Sequence, residues 1–193
     1  MICNGKWGND MEEQTDGKQM SISSYRYSGD RTVLSYEEMN GYCNRAIKLN
    51  PNCKLTLILM QVNDMEDYMK NEGSGFVQDL LQSVQDTVRR HVGHRGIVCP
   101  LQPNLISVVV QDINSDIKLR AFIESLRTRI AWNYRLIDPK YEISFSFGVA
   151  CYPENGMDMR IVHRKLVKAL QMAQEKHANC YVIYKEHLHG ELS

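Results

Sequence analysis

The chain has 193 residues, 43% of them apolar, and its 23 basic and 23 acidic side chains cancel to a formal charge of zero. That apolar content supplies one sizeable core, and the balanced charge argues against a binder of phosphate backbones, which shows a basic face. No run of eighteen apolar residues exists to span a membrane, and the polar start (Asn4, Lys6, Asn9, Asp10, Glu12, Glu13) lacks the apolar stretch of a secretory signal. The expectation is a cytoplasmic chain with neither a nucleic-acid nor a membrane partner.

Residues 1–30 are rich in Gly, Ser, Asp and Lys without periodicity and read as a flexible arm or linker, with Tyr25 and Tyr27 as candidates to dock on the body. The domain proper is expected over 31–186, with 187–193 as a tail. Ser35-x-x-Glu38 is a capping-box pattern, and Met39, Tyr42, Cys43, Ala46 and Ile47 follow at helical spacing until Pro51. Lys54 to Val62 is mostly apolar and predicts a central strand. Phe76, Leu80, Leu81, Val84 and Val88 mark a long helix ending in Arg89-Arg90-His91, cations suited to a helix C-terminus. A shorter helix between the two is allowed by the spacing.

Gly96 to Cys99 and Leu105 to Val110 predict two strands joined by a tight, uncharged, proline-flanked turn. Ser115 can cap a helix whose face is Leu119, Phe122, Ile123, Leu126 and Ile130. From Glu142 to Cys151, Ile143, Phe145, Phe147 and Val149 alternate with Ser144, Ser146 and Gly148, the period of a strand. Tyr152 to Gly156 closes it. Val162, Leu166, Leu170 and Ala173 give a last long helix, and Cys180 to Tyr184 a last strand. The order predicts an α+β fold: a five-stranded, mainly antiparallel sheet flanked by helices, of the ferredoxin-like palm type.

Six cysteines (Cys3, Cys43, Cys53, Cys99, Cys151, Cys180) contain no Cys-x-x-Cys pair and read as free thiols of a reducing compartment. Cys99 has no adjacent base and is not expected to be a nucleophile. His91 with His94, and His187 with His189, lack a partner set of ligands and read as surface residues at element ends. Asp64, Glu66 and Asp67 stand where carboxylates cap a helix start. Met60, Met65, Met69 and Met172 read as fillers of core gaps.

Three segments in order carry a resemblance. Ser146-Phe147-Gly148-Val149-Ala150 is similar to a Ser-Ile-Gly-Val-Ala strand, Tyr152-Pro153-Glu154-Asn155-Gly156 to a Pro-x-x-Gly turn, and Ala169 to Ala173 with Asn179 to Tyr184 to a terminal helix, turn and strand. Together they resemble the GGDEF family of diguanylate cyclases over residues 32 to 185. The alternative is a ferredoxin-like palm without nucleotide ancestry. The resemblance implies a cyclase-like fold in which active members condense two GTP molecules into cyclic di-GMP with paired magnesium ions. It also implies where the chemistry would stand. The first-strand aspartate position is Gln61 and the next carboxylate Asn63; the signature hairpin is Leu101-Gln102-Pro103-Asn104-Leu105. The guanine-reading positions fall at Met69 and Gln78, the phosphate-contacting lysine at Gln174, and the product-inhibition motif at Val92 and Arg95.

None of these positions keeps the family's residue. The reading is a degenerate, catalytically inactive GGDEF-like module with no cofactor and no metal ligands. Such a module would serve regulation or protein interaction, through a protein partner or neighbouring domains of a bacterial signalling or transcription-regulating protein. An alternative is a nucleotide or small-ligand sensor using a relict cleft of Gln61, Asn63, Gln102 and Asn104, where Asn104 can equally be a turn former. A second alternative is a cyclase with a rearranged metal site built on acids such as Asp64 or Glu66.

Overall fold

The computed structural model describes residues 35–111, 113, 115–135, 143–176 and 179–190. The arm expected over 1–30, Tyr25 and Tyr27 with it, and Cys3, Glu142 and the last three residues lie outside them. Five strands form one sheet: β1 (Leu55–Val62), β2 (Gly96–Gln102), β3 (Leu105–Gln111), β4 (Phe145–Tyr152) and β5 (Cys180–Ile183), in the order β2-β3-β1-β4-β5. All neighbours are antiparallel except β4 and β5. β1 therefore sits at the centre, which explains its nearly unbroken apolar run: both its faces are covered. β2 continues past the expected Cys99 through Pro100, with a register shift between Pro100 and Gln102. The proline is tolerated because β2 is an edge strand with one free side.

Alternation along β1 sorts the core into two layers. Ile58, Met60 and Val62 face one layer, packed by helices α2 (Met65–Val92) and α3 (Asp116–Arg135); Leu55, Leu57 and Leu59 face the other, packed by α1 (Tyr36–Leu49) and α4 (Met159–Glu175). The capping box forms as read: Glu38 N–H donates to Ser35 Oγ at 3.3 Å and Ser35 N–H to Glu38 Oε2 at 2.8 Å. Ser115 Oγ likewise accepts from Lys118 N–H at 3.3 Å. α2 absorbs both predicted helices and is broken at Gly73, whose φ of 85° and ψ of 175° no side chain favours. Met60 is buried as expected, but Met69 is 47% exposed on the outer side of α2, so it fills no gap.

One contact fixes the distance between sheet and helix. A Cβ on Gly148 would lie 2.4 Å from Leu170 N and 2.7 Å from Leu166 O, so α4 lies directly on the β4 backbone. Beyond β4, Asn155 is buried; its Oδ1 accepts from Cys151 N–H at 2.7 Å and its Nδ2 donates to Tyr184 O at 3.3 Å. The ordered body also runs past residue 186, where a tail was expected. A helical turn, α5 (Glu186–His189), is held by Lys165–Glu186 at 2.8 Å, by Lys168 Nζ donating to His189 O at 2.9 Å, and by the Tyr184 hydroxyl donating to Gly190 O. The described cysteines are free, and burial pushes the Cys43 thiol up to about 12. Burial, then the charge of Glu38, raises Cys99 as well, which suits an inert core thiol.

Candidate functional site

The C-terminal end of β1 gathers most of the residues singled out in the sequence. Gln61 lies opposite Leu105 of β3 on one side and Ser146 of β4 on the other, so the β2–β3 turn and the start of β4 flank it. Asn104 clasps the strand end: Val62 N–H donates to Asn104 O at 2.9 Å, and Asn104 Nδ2 donates to Val62 O at 3.3 Å. That is the turn-forming reading of Asn104. Gln102 stands on the same hairpin but is exposed, and the structure does not bring it into the group.

The polar side chains here bond to one another. Gln174 Nε2 on α4 donates to Gln61 Oε1 at 2.7 Å, although 113 positions separate them. Ser146 Oγ donates to Asn63 Oδ1 at 3.2 Å, and Asn63 N–H donates to Ser144 O at 3.0 Å. Ser144 and Ser146 are nearly fully buried, so the polar side of β4 faces protein rather than the solvent that alternation suggests. The signal for them was present as period-two serines, but their partners on the β1 end were not readable.

Asp64 corrects a second expectation. It occupies the helix-start position with φ 57° and ψ 27°, yet its carboxylate makes no cap bond and instead accepts from Ser144 Oγ at 2.8 Å. The left-handed backbone turns the side chain away from the helix N–H groups and back toward β4. Glu66 and Asp67 are exposed in the first turn of α2. Among the described residues, no three His, Cys, Asp or Glu side chains converge so as to hold a metal ion.

The remaining assigned positions are scattered. Met69 and Gln78 are exposed on α2, and Val92 is buried in the core. Arg95 closes the end of α2: its guanidinium donates to His91 O at 2.6 Å and stacks 5.3 Å over the Phe122 ring. His91 is no plain surface residue either. It is half-buried, its ring packs on Phe122 at 4.6 Å, and its Nε2 bonds Phe122 O at 3.2 Å. Burial first, then the charge of Arg95, lowers its pKa.

The sheet runs 2-3-1-4-5, and a family model, "Diguanylate cyclase, GGDEF domain", matches the chain over residues 36–180. The chain belongs to the GGDEF family. Solved GGDEF domains share the fold at low identity. A diguanylate cyclase/phosphodiesterase from Caldicellulosiruptor saccharolyticus is 18% identical with a TM-score of 0.67, covering 81% of this chain and 92% of that one. The active GGEEF domain of a diguanylate cyclase from Vibrio cholerae is 14% identical with a TM-score of 0.68, covering 80% and 99%. The GGDEF domain of DgcB from Caulobacter crescentus, solved in complex with c-di-GMP, is 13% identical with a TM-score of 0.63, covering 76% and 86%. No curated protein matches by sequence. The GGDEF fold explains why the β1 end, the hairpin and the start of β4 adjoin. No helix among the described residues is long and apolar enough to cross a membrane.

Proposed function

We propose that this GGDEF domain does not condense GTP and serves as a regulatory or protein-interaction module of a bacterial signalling protein. The observation that carries this reading is the Gln61–Gln174 hydrogen bond of 2.7 Å. These are the positions that the family resemblance gives to a metal-binding aspartate and a phosphate-contacting lysine. Two neutral amides there share a hydrogen bond and offer no formal charge to a cation or a triphosphate.

The donor set does not fit a pair of magnesium ions, which take hard, anionic oxygens in near-octahedral array. Asn63 spends its carbonyl oxygen on Ser146, and Asn104 is committed to Val62. Asp64 is the carboxylate beside them, and one acid does not offset two divalent charges. The hairpin backbone argues the same way. Leu101 and Gln102 carry Cβ atoms where the family has glycines, and Pro103 lacks an N–H for a phosphate oxygen.

Incubation of the pure chain with GTP and magnesium or manganese tests the reading directly. The expected result is GTP unchanged; pyrophosphate or cyclic di-GMP released at enzymatic rates would overturn it. Calorimetric titration with GTP, GDP and cyclic di-GMP is expected to give no heat, because a ligand would first have to break the amide pair. Saturable heat without turnover would make the cleft a sensor instead.

A further inference from the structure

The opposite margin of the sheet holds a feature that the cleft does not use. A cavity of about 450 Å³ opens beside β5, between the start of α3 and α5. Its floor is the strand itself: Tyr181, Val182 and Ile183 line it. Among the described residues, β5 is the last strand of the sheet and pairs on one side only. Tyr184 N–H donates to Val149 O at 2.8 Å, so by strand alternation Val182 also points its main-chain groups at β4. Tyr181 and Ile183 therefore direct theirs outward, into the cavity. An edge of this kind is a template for another strand.

The rim is basic. Arg120, Lys176 and Lys185 surround the floor against a single carboxylate, Asp116, which Lys185 already holds at 2.9 Å. Arg120 donates to the Tyr181 hydroxyl at 3.0 Å and so keeps its charge at the strand edge. Burial first, then the neighbouring charges of Lys176, Lys168 and His187, lowers the pKa of His189 at the far wall. Leu188 stands at the lip, 69% exposed. A neutral protein has thus placed a patch of positive charge along a strand edge that no other described strand covers.

We propose that this cavity receives an extended acidic peptide segment, which pairs with Tyr181 and Ile183 as an added strand and sets its carboxylates against Arg120 and Lys176. Main-chain bonds supply the affinity in such strand addition, and charge supplies the selection. The proposal specifies a partner surface for the interaction module inferred above. It does not need the cleft to be inactive: GTP turnover would overturn that reading and leave this one standing.

The test uses the full chain and a fluorescent peptide of alternating Glu and Val. Three companions complete it: the same peptide N-methylated at every amide, a Lys–Val counterpart, and the Arg120→Glu/Lys176→Glu protein, whose altered residues are both exposed. Expected are saturable binding of the acidic peptide, a loss of about tenfold or more on N-methylation or in the double variant, and no binding of the Lys–Val peptide. Amide exchange at Tyr181 and Ile183 should slow in the complex. No binding at about 1 mM peptide, or equal binding of the N-methylated peptide, would overturn the proposal. So would displacement by inorganic phosphate without slowed exchange at those two amides, which would make the cavity a simple anion site.

Discussion

The centre of the sheet and the rim at the end of β1 are built on different physics. At the centre, α4 rests on β4 so closely that a single methyl on Gly148 has no room, and Asn155 spends both ends of its amide on buried main-chain groups. At the rim, polar side chains bond mainly to one another, Gln174 to Gln61 on the surface and Ser146 to Asn63 beneath it. Steric fit therefore holds the GGDEF fold through contacts that do not depend on the side chains of the rim. Fold and chemistry are separable because they sit on different kinds of contact.

Breaking the centre should cost most. Gly148→Ala forces a Cβ against helix backbone that cannot rotate aside, and we expect a loss of about 3 kcal/mol, read as a lower urea midpoint at unchanged slope. A loss under about 0.5 kcal/mol would mean that α4 floats on the sheet rather than resting on it. Asn155→Ala leaves Cys151 N–H and Tyr184 O without their partner and should cost about 2 kcal/mol by the same measurement.

Acid should weaken the core edges next. His163 is half-buried, with its Nε2 atom enclosed and unpartnered among the described residues, and packs edge-on to Tyr36; desolvation lowers its pKa, and His91 is lowered for the same first reason. The unfolded chain takes up these protons near 6.5, whereas the folded imidazoles hold out to lower pH. Their stabilisation is complete above about 6.5 and drains away as pH falls toward the folded values. The melting temperature should drop between pH 7 and 5, and His163→Phe should flatten that slope while keeping the ring contact. An unchanged slope in that variant would assign the acid response elsewhere.

The smallest effect is expected at the rim. Gln61→Asp with Gln174→Lys places opposite charges on a facing, part-exposed pair, and stability should move by no more than about 0.5 kcal/mol. On the proposed reading GTP turnover should stay at background, because the hairpin keeps the side chains of Leu101 and Gln102 and the N–H-less Pro103. Pyrophosphate release by this double variant would show the hairpin to be competent after all, and would narrow the deficit to the amide pair.

The strands and most helix faces were legible because burial marks the sequence: Leu55 to Val62 is an apolar run because both its faces are covered, and the Leu119–Ile130 face lies where helical spacing puts it. Local hydrogen-bond chemistry was legible too, as at Ser35 and Glu38. What escaped depends on partners distant in the chain. Asp64 turns from its helix toward Ser144, 80 positions on, and Gln61 finds Gln174 across the molecule. Asn155 looked like one residue of a turn and proves to be a tie between two strands. The extension through α5 was hidden because its anchors, Lys165 and Lys168, belong to α4, 21 residues earlier, and nothing in the local sequence of 186–190 points to them.

Cys43 offers a last use of the packing around α1. A sulfhydryl sealed in the interior and titrating near 12 holds almost no thiolate at neutral pH. Alkylating reagents should reach it only when the surrounding layer opens. Its labelling rate is thus a native stopwatch for that opening, readable by mass spectrometry with no substitution in the chain.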